Sequence, residues 1–275
     1  MHVKLKHPLM IAVLTWLIFP VVPLYAQNDP APTAVPETTP ATPAPVVPVT
    51  AVEQQPVAVG NELTVIELFS SQACIFCPKA DALFAELVKA DNVIGLSCHV
   101  DYFDVHAGSL ARPFCTARQS WYMQALGAGP NYTPQMVVNG AYDVVGYNAD
   151  DVKATIKKAQ TYPPIDIIVS KGVNANDYTL SWPAPITTEA DPALLWLMMI
   201  DKPHDLNITE GRNKGQKMTY VNIVSDIEDR GDWKQSEPNK HVEVALKPEH
   251  SGFIVIAQSR KNGKILAAGQ YKRSE

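Results

Sequence analysis

Cys74 and Cys77 are separated by two residues, Ile75 and Phe76, and followed at once by Pro78. Two thiols at this spacing can exchange with a disulfide. One sulfur attacks as a thiolate, and the second reaches back to resolve the mixed disulfide. Cys74, on the N-terminal side, is the expected attacking group and Cys77 the resolving one. The same spacing also suits a plain stapling disulfide or half of a zinc site. Zinc would need two further ligands, and the sequence holds no second C-x-x-C or close Cys/His pair.

The surrounding elements fit a thiolate. Thr64 to Phe69 is a short apolar run headed by β-branched residues, which reads as a buried strand. Ser70 to Ala73 break it. From Ala80 onward, Leu83, Phe84, Leu87 and Val88 recur at helical spacing, while Lys79, Asp81, Glu86 and Lys89 take the polar face. Pro78 belongs in the first turn, where its missing N–H costs no hydrogen bond. Strand, loop, C-x-x-C and helix together put both sulfurs at a helix N-terminus, whose dipole favours a thiolate.

A second apolar run, Asn92 to Val100, leads into Asp101-Tyr102-Phe103-Asp104. It reads as a strand parallel to the first, with its carboxyl end near the cysteines. His99, Asp101 and Asp104 thereby become candidates for proton transfer, cation binding or loop support. Leu110 to Leu126 has a helical pattern ended by Gly127, Gly129 and Pro130. Asn139-Gly140 lies between the runs Gln135–Val138 and Tyr142–Val145, a hairpin signal. Asn148 or Asp150 then caps a helix to Gln160.

The order of these elements, with Thr133-Pro134 before a strand, resembles the thioredoxin fold. Glu67 to Gln72, His99 to Tyr102 and Thr133 to Gln135 look more narrowly like the secreted thioredoxin-like proteins of the domain-of-unknown-function 1223 family. The resemblance is strong over Glu62 to Gln160. It implies a cis Thr133–Pro134 bond facing the cysteines. The expected substrate surface is Ile75, Phe76, Thr133, His99 and Asp101. The resemblance also offers Glu67 as proton acceptor for Cys77, the alternative being an ordinary strand-end acid. Members of that family usually lack cysteines at the positions of Cys98 and Cys115. Those two either form a second bridge or remain buried thiols.

At the start, Lys4 and Lys6 precede an apolar run from Leu9 to Leu24, and Ala26 offers a cleavage point before Gln27. This reads as a signal peptide over 1–26; an uncleaved anchor is the alternative. Residues 27–60, rich in Pro, Ala and Thr, read as a spacer. The formal charge of −5, or −7 without Lys4 and Lys6, argues against nucleic acid as a partner. From Pro163 onward seven or eight short β-like runs follow, including Tyr178–Trp182, Leu194–Ile200, Met218–Ile227 and Phe253–Gln258. They suggest an antiparallel sandwich. Glu210 to Lys217 reads as a solvated polar loop.

The expected fold class is an α/β thioredoxin-like domain (61–162, a central mixed sheet flanked by helices) followed by a β-sandwich domain (163–275). The expected function is that of an exported, periplasmic or secreted thiol–disulfide oxidoreductase. Cys74, Cys77, Pro134 and Glu67 would be catalytic, with no cofactor and no metal. Its partners would be protein thiols and disulfides, with a membrane redox protein as a further candidate. The rival readings are a non-catalytic binding protein with a structural disulfide, and a copper carrier using Cys74, Cys77 and His99.

Overall fold

A computed structural model describes residues 60, 62–103, 108–183 and 193–274. The leader and nearly all of the Pro-rich stretch, together with Asp104, lie outside them. From Glu53 onward the chain clusters as one compact unit.

The first sheet is built on β1 (Thr64–Ser70). It pairs in parallel with β2 (Val93–His99) and antiparallel with β3 (Gln135–Val138), which pairs with β4 (Tyr142–Val145). Every residue of β1 and β2 is buried, so both faces are covered. Ile66 and Leu68 face helices α1 (Cys77–Leu87) and α3 (Ala149–Ala159), meeting Ala80, Phe84, Val152 and Ile156. Val65, Phe69, Leu96 and Cys98 face the other way, toward Tyr122 and Met123 of α2 (Pro113–Leu126). Phe84, fully enclosed, contributes about 2 kcal/mol by leaving water. The Asn148 side chain caps α3 by accepting from the Asp151 N–H at 3.4 Å.

Three short strands follow α3 in the second half, β5 (Ile165–Asp166), β6 (Ile168–Lys171) and β7 (Asp177–Ser181), and then the long β8 (Ala193–Asp201). Next come β9 (His204–Asn207), β10 (Lys217–Tyr220), β11 (Val224–Trp233), β12 (Asn239–Glu243), β13 (His250–Ser259) and β14 (Ile265–Lys272). They form a five-stranded sheet ordered β11-β8-β13-β14-β5, a three-stranded sheet β12-β7-β6, and the β9–β10 hairpin.

These strands overturn the α/β thioredoxin-like class expected from the sequence. Fourteen strands and three helices in four sheets make the described residues mostly β. The reason lies in β8 and β13, which are apolar on both faces. Leu195, Leu197, Phe253 and Val255 pack on Tyr178 and Leu180 of the three-stranded sheet. Met198, Ile200, Ile254 and Ile256 project the other way and share one core with Val65, Phe69, Ile94 and Leu96. That side of the first sheet is thus covered by another sheet as well as by α2, and the five-stranded sheet becomes a middle layer.

Two boundaries also differ from expectation. The run Met218–Ile227 splits into β10 and β11, because Asn222 adopts a positive φ of 52°. From there its carbonyl accepts the Ser97 N–H at 2.9 Å, and its amide donates to the Gly95 carbonyl at 3.1 Å, along the outer edge of β2. Helix α2 starts at Pro113 rather than Leu110. Its first turn is bonded to the end of β2 through a Cys98–Cys115 disulfide.

Candidate functional site

The loop between β1 and α1 is fastened from within. The Ser71 carbonyl accepts the Cys74 N–H at 3.2 Å, and the Cys74 carbonyl accepts the Cys77 N–H at 3.2 Å. Cys74 is partly exposed, whereas Cys77, the first residue of α1, is fully buried. Both are free thiols.

Their environments pull the two thiols apart. The Cys77 thiol donates to the Cys74 sulfur, and this chiefly lowers the Cys74 pKa to about 6. Burial opposes that shift, while the Thr133 hydroxyl and the N–H groups of Phe76 and Cys77 reinforce it. Burial pushes Cys77 far upward, and the hydrogen bond and charge of Cys74 add to this, as does the nearby Asp81 carboxyl. At neutral pH one sulfur is a thiolate and the other a thiol.

Beneath them lies a polar cluster at the carboxyl ends of β1 and β2. Asp81, one turn after Cys77, accepts from the Ser70 hydroxyl at 3.1 Å. Burial raises its carboxyl to about 8; the Ser70 bond works against this and the Cys74 charge with it. Ser70 also hydrogen-bonds the Cys77 thiol. His99 is in register with Ser70 on the neighbouring strand. Burial, aided by Arg112 and His204, drops its imidazole to about 3, so it is neutral. Its ring stands edge-on against Tyr220, centroids 5.0 Å apart.

The remaining expected residues divide. The Thr133–Pro134 bond is cis, Pro134 is buried, and its carbonyl accepts the Gly146 N–H at 2.9 Å. Ile75 and Phe76 are about half exposed, at 50% and 49%. Phe76 stacks on Tyr147 with centroids 5.1 Å apart. Asp101 is held by Thr116: its N–H donates to Thr116 Oγ1 at 3.0 Å, and that hydroxyl donates back to Asp101 Oδ1 at 2.5 Å.

Glu67 is elsewhere. Strand alternation points Ile66 and Leu68 at α1 and therefore turns Glu67 to the opposite face. There its carboxylate accepts from Arg118 Nε, from Arg118 Nη2 at 2.8 Å and from the Tyr122 hydroxyl. Gln258 of β13 completes the network, accepting from Arg118 at 3.2 Å and donating to Tyr122 at 2.7 Å. Glu67 is a structural anion between layers, and the acid beside the cysteines is Asp81.

Sequence reasoning missed two residues. Asp81 falls on the polar face of α1 by sequence pattern but is buried; its spacing of four from Cys77 is the signal that could have found it. Asn213 lies in the expected solvated loop, yet it is 2% exposed and clamps the cysteine loop. Its amide donates to the Gln72 and Cys74 carbonyls, each at 2.8 Å. No sequence signal spans that separation. Among the described residues no group of three or more His, Cys, Asp or Glu side chains could hold a metal ion. Nor, among them, is any helix long and apolar enough to cross a membrane.

A family model described as "Protein of unknown function (DUF1223)" matches residues 65–258. The chain is similar to a protein from Agrobacterium tumefaciens whose crystal structure was determined by a structural genomics consortium. The two are 25% identical with a TM-score of 0.66, the match covering 78% of this chain and 97% of that one. No curated protein matches the chain.

Proposed function

The chain belongs to the DUF1223 family, whose description carries no reaction, and on that premise we propose that it is a thiol–disulfide oxidoreductase of protein substrates outside the cytoplasm. The observation that carries this reading is the asymmetry of the free pair. Cys74 is reachable and poised as a thiolate, with Cys77 buried behind it as a thiol. The buried Cys98–Cys115 bridge supports an oxidising compartment.

In the reducing direction, the Cys74 thiolate attacks one sulfur of a substrate disulfide. The S–S bond breaks, a Cys74–substrate bond forms, and the other substrate sulfur leaves as a thiolate. Cys77 then passes its proton to the first substrate thiolate and attacks the Cys74 sulfur, expelling the second substrate thiolate, which takes its proton from water. The protein ends with a Cys74–Cys77 disulfide and the substrate with two thiols. The reverse sequence oxidises a substrate. The Phe76 and Cys77 N–H groups hold the Cys74 charge whenever that sulfur is a thiolate.

A Cys77→Ser variant tests the scheme. It is expected to accumulate a mixed disulfide with a protein substrate through Cys74, detectable by mass spectrometry and released by reductant. Failure of the reduced wild type to exchange with any disulfide would overturn the reading. Fusing residues 1–60 to a reporter that matures only outside the cytoplasm tests the location.

A further inference from the structure

The tip of the β9–β10 hairpin is part of the site although it lies in the second half of the sequence. Ile208 is buried against Leu110 and Tyr220, which seats the base of the hairpin. The tip is closed by bonds from the Ile208 N–H to the Gln216 carbonyl at 2.9 Å and from the Gly215 N–H to the Ile208 carbonyl at 2.8 Å. Gly211, at φ +69°, brings the backbone so near Ala73 that a Cβ there would sit 3.4 Å from it. Asn213 then pins the tip to the Gln72 and Cys74 carbonyls.

The residues on either side of that pin are Arg212 and Lys214. Consecutive Cα atoms are about 3.8 Å apart, so both residues flank the point where the tip meets the Cys74 loop. Both are exposed, and neither has an ion-pair partner among the described residues. Lys217 is exposed at the start of β10, and Glu210 is the one carboxylate of the same stretch. On a chain whose formal charge is −5, this is a local excess of positive charge on the tip that is pinned to the Cys74 loop.

We infer that the hairpin tip selects the substrate: Arg212 and Lys214, pinned by Asn213, favour protein disulfides flanked by carboxylate side chains. This rests on the redox reading above and names the substrate class of the same site. An acidic segment gains from two cations as it approaches, and the developing negative charge on its leaving thiolate is held in the same field. A lysine-rich segment meets repulsion.

The test uses three short disulfide-linked peptides with Asp, Ser or Lys beside the cysteine, reacted with the reduced full chain. At about 0.01 M ionic strength, the Asp peptide is expected to exchange about tenfold faster than the Lys peptide. At about 1 M salt, where screening acts over about 3 Å, the ratio is expected to shrink toward one. In an Arg212→Gln/Lys214→Gln variant the low-salt ratio collapses, and in Arg212→Glu/Lys214→Glu it inverts. Equal rates for the two charged peptides with wild type, or discrimination that survives the double substitution, would overturn the assignment. If even the uncharged Ser peptide fails to react, the redox reading falls, and the assignment falls with it.

Discussion

Cys98 and Cys115 lie in the core shared by two sheets, 2% and 0% exposed, and are joined. Cys74 and Cys77 lie where a strand gives way to a helix, and they are not joined. Both pairs touch the same four-stranded sheet. The joined pair is embedded among Leu96, Val100 and Tyr122, away from solvent. The free pair has one sulfur facing solvent, donors converging on it, and an acid and a hydroxyl behind the other. Position relative to donors and water, rather than residue type, assigns one pair to holding the fold and the other to exchange.

The contrast breaks most sharply at Cys74. Cys74→Ser should lower disulfide exchange by about a thousandfold or more while the fold survives, its melting temperature lowered by about a few degrees at neutral pH. Residual exchange through Cys98 or Cys115 would erase the distinction. The converse change, Cys98→Ala with Cys115→Ala, opens a loop of sequence separation 17. It should cost about 3 kcal/mol by chemical denaturation and leave exchange through Cys74 in place.

Asp81 sharpens the comparison through pH. Its folded pKa, raised to about 8 from 3.8, means that the unfolded chain releases a proton which the folded chain keeps. Its contribution to stability is therefore fullest below about pH 4 and is lost as pH rises toward 8. Asp81→Asn should raise stability at neutral pH by about 2 kcal/mol, read from denaturant midpoints. The smallest effect is on alkylation. Iodoacetamide should label Cys74 with a midpoint near pH 6, and at pH 7 about tenfold faster than the same thiol in the denatured chain. The fold-stabilising effect of that depressed pKa is complete above the ordinary thiol range and is lost as pH falls through about 6.

Local patterns carried much of this. Strand, C-x-x-C, Pro78 and the apolar spacing of Ala80, Phe84 and Leu87 gave β1, the loop and α1. Asn139-Gly140 gave the β3–β4 hairpin, with both residues at positive φ. What stayed hidden was non-local. Arg118 meets Glu67 across 51 residues, and Asn213 meets Cys74 across 139. The apolar pattern of β8 and β13 showed buried strands, but not that their second face would cover the first sheet. A period of two indicates that alternate side chains share a face and is silent on what lies opposite.

Asn222 and Ile223 occupy the outer margin of β2, engaging Gly95 and Ser97. An unpaired margin is where a sheet can recruit a foreign chain, and this one is already filled by the protein's own backbone. Of that sheet's two margins, β4 is the one with no further strand paired to it among the described residues. Mutual stacking of copies through β2 is blocked without any charged or proline guard residue there.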